Sequence, residues 1–128
     1  MTCFWDGIIN SLDNDDINLL NLKEKNIINL INILKIRNCP TYNIKCQNQI
    51  LTDNQIKENM NHITDYNIND ASKGYLCSTF DPFLFLLSHI LNKPIHFMYC
   101  GHKIIYLPSD SNKKPLNYMC DKRHFWKV

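Results

Sequence analysis

No apolar run in this 128-residue chain approaches the ~18 residues of a membrane-spanning helix. The opening stretch, MTCFWDGIINSLDNDD, has no basic segment and turns acidic at once, so it does not read as a signal peptide. An excess of one charge is also missing. The formal net charge is +2, too small to argue for a nucleic-acid partner. No C-x2-C pair occurs among the six cysteines at 3, 39, 46, 77, 100 and 120, and no internal repeat is visible. With a reducing, cytoplasmic location as the default, these cysteines read as free thiols, most of them small buried hydrophobes. A zinc site drawn from Cys39, Cys46, Cys100 and His102 is the weaker alternative, and no metal or organic cofactor is expected. Membrane and nucleic acid are both excluded as expected partners.

What is present suits a single domain over residues 1–128, expected to act as a monomer. Hydrophobic residues make up 45% and charged residues 20%, ordinary globular usage that can fill one core. Eighteen Asn and 17 Ile, with AT-heavy codons, point to an AT-rich coding genome. The Asn residues are scattered through periodic apolar segments rather than gathered in a polar tract.

Hydrophobic spacing predicts a helix over residues 3–12, with Thr2 as N-cap and Cys3 in the first turn. Gly7 is a mild cost there. Asp15 or Asp16 can cap a second helical region over 17–36, read as one helix or as two with a kink near 22–25. Residues 37–51 read as a loop with a short strand. Thr52 and Gln55 have capping-box spacing and start a helix over about 53–63. A loop follows over 64–75. Asp81 and Pro82 look like the cap and first position of the apolar helix FLFLLSHIL. Beyond Pro94 the period changes from 3.6 to 2, giving strands IHFMYC and KIIYL around Gly101, then LNYMC and HFWKV. The expected fold class is α+β, a helical N-terminal two-thirds packed on a C-terminal antiparallel β-meander.

The two ends are dressed alike: Cys3 precedes Phe4 and Trp5, and His124 precedes Phe125 and Trp126. Cysteine attacks as thiolate, which the partial positive charge of a helix N-terminus and a nearby imidazolium both favour. Cys3 has the first on this reading, and His124 supplies the second if the last strand packs beside the first helix. Free N–H groups at the helix start would stabilise an oxyanion. The bland reading of Phe4, Trp5, Phe125 and Trp126 is core packing. His89 reads as a satisfied core histidine and His62 as a surface one. Asp13, Asp15 and Asp16 read as caps for the second helix, or else as contacts for a basic substrate tail.

The order CFWDGIINSL, FDPFLFLLSHILNKPIHFMYCGHKIIYL, LNYMCDKRHFWKV resembles the ovarian-tumour family of papain-like cysteine proteases, which includes deubiquitinases and small viral members. The resemblance runs from Cys3 to Trp126. It implies a papain-like fold with Cys3 as nucleophile and His124 as general base, and a narrow substrate channel including Trp5 and Trp126. The implied activity is isopeptidase cleavage after the Gly-Gly end of ubiquitin or a ubiquitin-like modifier, in the host cytoplasm if the source is viral. Two departures stand out. The family commonly has an Asp three residues before the Cys, where this chain offers only Met1 and Thr2. It often has an Asn or Asp two residues after the His, where this chain has Trp126. The third catalytic member is therefore open among Asp6, Asp121 and Asn117. The rival functions are a viral polyprotein protease on the same fold and an inactive module of that fold that binds a partner without turnover.

Overall fold

The structure is a computed structural model that describes residues 2–72 and 77–128. Helix α1 spans Cys3–Ser11 and buries Phe4, Trp5, Ile8 and Ile9, the spacing of one helical face. Helix α2, Asn14–Leu20, is capped by Asp13, not by Asp15 or Asp16, which fall in its first turn. Asp13 Oδ1 accepts from the Asp16 N–H at 2.8 Å, and Asp16 Oδ2 accepts from the Asp13 N–H at 3.1 Å. Asn21, with φ 56°, ends α2 in the left-handed conformation. Helix α3, Ile27–Ile36, restarts with Asn26 as cap. The region read as one helix or a kinked one is thus two helices with a full break at residues 21–26.

Strands β1 (Ile44–Cys46) and β2 (Gln49–Ile50) form a hairpin whose turn residues, Gln47 and Asn48, have φ 52° and 65°. Helix α4, Asp53–Asp65, opens with the expected capping box. A short 3-10 turn, Ile68–Ser72, interrupts the loop expected over 64–75, whose last three residues lie outside the described ones.

Helix α5 spans Cys77–Leu91, so the expectation that Asp81 caps it fails. The Asp81 carboxylate is used elsewhere: it accepts from the Tyr106 hydroxyl on the sheet. Pro82 therefore sits inside the helix, where it lacks the N–H that a rung needs. Phe83 to Leu87 are all buried, as a central helix requires. Burial raises the Asp81 carboxyl above its usual range, with the Tyr106 hydroxyl pulling the other way.

Strands β3 (Ile95–Tyr99), β4 (His102–Pro108), β5 (Leu116–Asp121) and β6 (His124–Lys127) complete a six-stranded sheet of order β2-β1-β4-β3-β5-β6. The α+β class holds, but the antiparallel meander does not. β3 and β5 run parallel, with Ile95 opposite Leu116 and Tyr99 opposite Cys120. β4 pairs on one side of β3, and the chain over 109–115 passes the end of β3 so that β5 joins the other side. The helical portion is also less pure than expected, because the β1–β2 hairpin adds to the sheet beyond β4. β5 alternates buried and exposed along its length, the pattern of a sheet covered on one face. This topology leaves β6 at an edge.

Two links tie helices to one another and to the turn before β1. Lys93 Nζ lies 3.1 Å from Asp13 and 2.7 Å from Asp16, joining the start of α2 to the end of α5. The acidic group thus has a structural occupation at two of its three members. His89 Nδ1 lies 2.7 Å from Asn43 Oδ1, the satisfied histidine expected, and His62 is exposed on α4.

Candidate active site

Helix α1 packs against β6 along the sheet edge. Gly7 permits that approach. A Cβ at position 7 would stand 2.9 Å from the Phe125 ring and 3.5 Å from the Lys127 backbone nitrogen. The glycine read as a helix cost is therefore the contact point between the two ends of the chain. Its signal was a glycine inside an otherwise helical pattern, a position that leaves room for close approach of a neighbouring element.

The helix start is left without a side-chain cap. Thr2 is the N-cap residue, but its hydroxyl donates to Asp6 Oδ2 at 2.7 Å instead of accepting from the first turn. Cys3, the first helical residue, is buried at 6% exposure. Its thiol donates to the Arg123 carbonyl at 3.6 Å. Arg123 immediately precedes His124, so the sulfur is parked against the backbone that carries the imidazole.

His124 opens β6 and is exposed. Strand alternation sends Phe125 inward and keeps His124 and Trp126 on the same outer side. The two rings stack at 5.2 Å between centroids and 26° between planes. Cys3, Asp6, Gly7, Asn10, His124, Phe125, Trp126 and Lys127 line one groove of about 260 Å³. Asn10 was not among the sequence candidates. Its spacing of seven from Cys3 and four from Asp6 puts all three on one helical stripe, a signal legible in the sequence.

The thiol and imidazole share this groove but are not hydrogen-bonded to each other. Among the described residues the thiol bonds the Arg123 carbonyl, and the ring's contact is the Trp126 stack.

The candidates for a third member differ in position. Asp6 lines the groove, with one carboxylate oxygen held by Thr2. Asp121 stands directly opposite His124 in the β5–β6 register, on the same side of the sheet. Asn117 lies four residues back along β5, roughly 13 Å at strand rise. Its side chain donates to the Pro115 carbonyl at 3.4 Å, and its backbone carbonyl takes the Val128 N–H. Distance removes Asn117 as an orienting partner for His124.

Trp5 is a correction. It is 0% exposed, donates from Nε1 to the Tyr66 hydroxyl at 3.0 Å, and packs edge-on against Phe83 at 5.0 Å. It belongs to the core and lines no channel. Phe4 and Phe125 are buried with it, 4.8 Å apart. Of the four aromatics beside the reactive residues, Trp126 is the one left half-exposed at the groove.

Five cysteines, at 3, 39, 46, 100 and 120, are free thiols, and the thiol of Cys77 lies outside the described side chains. Among the described residues no three His, Cys, Asp or Glu side chains are gathered to hold a metal ion, so Cys39, Cys46, Cys100 and His102 make no zinc centre. No described helix is long and apolar enough to cross a membrane. No protein-family model matches the chain, and neither a curated protein nor a solved structure matches it.

Proposed function

We propose that the chain is a papain-like thiol hydrolase of the ovarian-tumour type, acting as an isopeptidase on conjugates of ubiquitin or a ubiquitin-like modifier. One observation carries the reading: residues from opposite ends of the sequence, Cys3 and His124, line one groove, with the sulfur bonded to the residue next to the histidine. The uncapped start of α1 supports it, because first-turn N–H groups there are not filled by Thr2.

On this reading the Cys3 thiolate attacks the carbonyl carbon of a C-terminal glycine attached to a lysine amine. The C–N bond breaks, His124 delivers the proton to the leaving amine, and a thioester remains on Cys3. His124 then takes a proton from water, which attacks the thioester and releases the carboxylate and the thiol. The N–H groups opening α1 stabilise the oxyanion in both steps. Trp126 and the close approach at Gly7 narrow the groove, which favours glycine in the substrate tail. The Cys3 thiol must rotate off the Arg123 carbonyl to reach the ring, a local adjustment of the kind substrate binding brings about.

A second reading has a specific observation behind it. The thiol bonds a carbonyl, and no described side chain orients the His124 ring by a hydrogen bond, which suits an inactive module that binds the same partner. A ubiquitin derivative with an electrophilic C-terminus distinguishes the two. Wild type should be labelled covalently at Cys3, and Cys3→Ala should not be labelled at all. A folded, reduced wild type that stays unlabelled ends the hydrolase reading and leaves the binding module.

A further inference from the structure

The turn joining β5 to β6 consists of Lys122 and Arg123, and each presents its carbonyl to a buried sulfur. Arg123 takes the thiol of Cys3 at 3.6 Å, and Lys122 takes the thiol of Cys120 at 3.5 Å. The two carbonyls belong to consecutive residues, whose Cα atoms are ~3.8 Å apart. Cys3 and Cys120 thus bond to adjacent residues of one turn, although they are far apart in sequence, and Cys120 feels the Cys3 sulfur among its neighbours. Both are buried, at 6% and 3% exposure. They differ in access, since Cys3 lines the open groove and Cys120 faces the interior opposite Phe125.

We propose that Cys3 and Cys120 form a reversible redox pair, in which a hydroperoxide oxidises Cys3 and Cys120 closes a disulfide onto it. In the first step the Cys3 thiolate attacks the peroxide O–O bond. Sulfur becomes sulfenic acid, the peroxide is reduced, and an alkoxide or hydroxide leaves. In the second step the Cys120 sulfur attacks the sulfenic sulfur, the S–O bond breaks, and the Cys120 proton leaves with the hydroxyl as water. The roles follow from the surroundings. Burial pushes the Cys120 thiol up to about 11, with Cys100, Cys3 and Asp121 adding to the effect. Cys120 therefore waits as a thiol while the groove-facing Cys3 meets the oxidant.

Closure asks for a Cα separation of ~4.4–6.8 Å. Cys3 is the first residue of α1, so an adjustment toward β5 falls on the opening turn, where N–H groups have no intrahelical acceptor. The disulfide would remove the nucleophile. It supplies the thiol-hydrolase reading with an off state and rests on that reading only for the loss of turnover.

The test reads the bond directly. Reduced full-length protein is treated with hydrogen peroxide, alkylated, digested and analysed by mass spectrometry. The expected product is the peptide containing Cys3 joined to the peptide containing Cys120, two hydrogens lighter than their sum and separated by dithiothreitol. Cys100→Ser should give the same linked pair. Cys120→Ala should give none, and its Cys3 should advance to a sulfinic acid that dithiothreitol does not reverse. A wild-type Cys3 that never appears linked, or a Cys120 found linked to Cys100, overturns the proposal. A linked pair in a protein that the ubiquitin probe fails to label leaves the redox pair standing and removes the hydrolase.

Discussion

Helix α5 over the middle of the sheet and helix α1 at its edge meet the strands in different ways. Under α5 the polar groups are engaged. Asp81 holds Tyr106, His89 holds Asn43, and Ser88 Oγ donates to the Lys93 carbonyl at 2.7 Å. Around them Phe83 to Leu87 are buried, and Phe85 packs edge-on against Tyr106 at 5.0 Å. At the edge, Gly7 replaces side-chain interlock with backbone proximity, and Cys3 and His124 face a groove. The centre pairs its polar groups with partners, whereas the edge brings the Cys3 thiol and the His124 ring to one groove without a hydrogen bond between them.

Phe85→Ala should have the largest effect, because it removes a buried ring from the α5–β4 contact. Chemical denaturation should show a loss of about 3–5 kcal/mol. Gly7→Ala comes next and separates two forces of opposite sign. Helix propensity favours alanine by ~1 kcal/mol. The added Cβ lies 2.9 Å from a Phe125 ring already wedged between Phe4 and Tyr118, whose centroids are 4.8 and 5.0 Å away. Overpacking of this kind costs about 1–3 kcal/mol, so the net change should be destabilising. A stabilised Gly7→Ala would mean that α1 and β6 do not approach as described, and the contrast between centre and edge would lose its basis.

The sequence was informative where structure is local. The capping box at Thr52, the strands after Pro94 and the apolar wrap of α5 depend on neighbours within a few residues, and their periodicity shows it. The matching aromatic dressing of Cys3 and His124 pointed to the two chain ends that line one groove. Sheet order was not readable, since whether β5 lies beside β4 or beside β3 depends on where the 109–115 connection runs. Asp81 misled for a similar reason. An Asp before a Pro is a strong local cap signal, but its carboxylate had a tertiary use on Tyr106, a residue 25 positions away. The fate of the aromatics was half legible. Phe4 and Trp5 can both be buried because adjacent helix positions fit one broad face, while strand alternation must separate Phe125 from Trp126.

His89 sharpens the same contrast through pH. Burial, with the charge of Arg37 adding to it, holds His89 below its ordinary value of 6.5. As the pH falls, the unfolded chain therefore takes up this proton before the folded one does. The stability contributed by neutral His89 is complete above 6.5 and is lost as the pH falls through the depressed folded value. His89→Gln should flatten the decline of the urea midpoint as the pH falls below 6.5. An unchanged decline would show that His89 does not titrate as a buried group.

His124→Ala should have the smallest effect on stability. Its ring is exposed, its described contact is the Trp126 stack, and the backbone pairing with Asp121 does not need a particular side chain. A change within about 0.5 kcal/mol is expected from such a surface position. On the proposed function the same substitution slows labelling by the electrophilic ubiquitin probe by about 100-fold or more, because it removes the imidazole that takes the thiol proton. The two readouts must separate for the edge to be a reactive site. If His124→Ala costs several kcal/mol and labelling falls only in proportion to the unfolded fraction, the imidazole is part of the wall, and α1 with β6 would be a second packing centre resembling the one beneath α5.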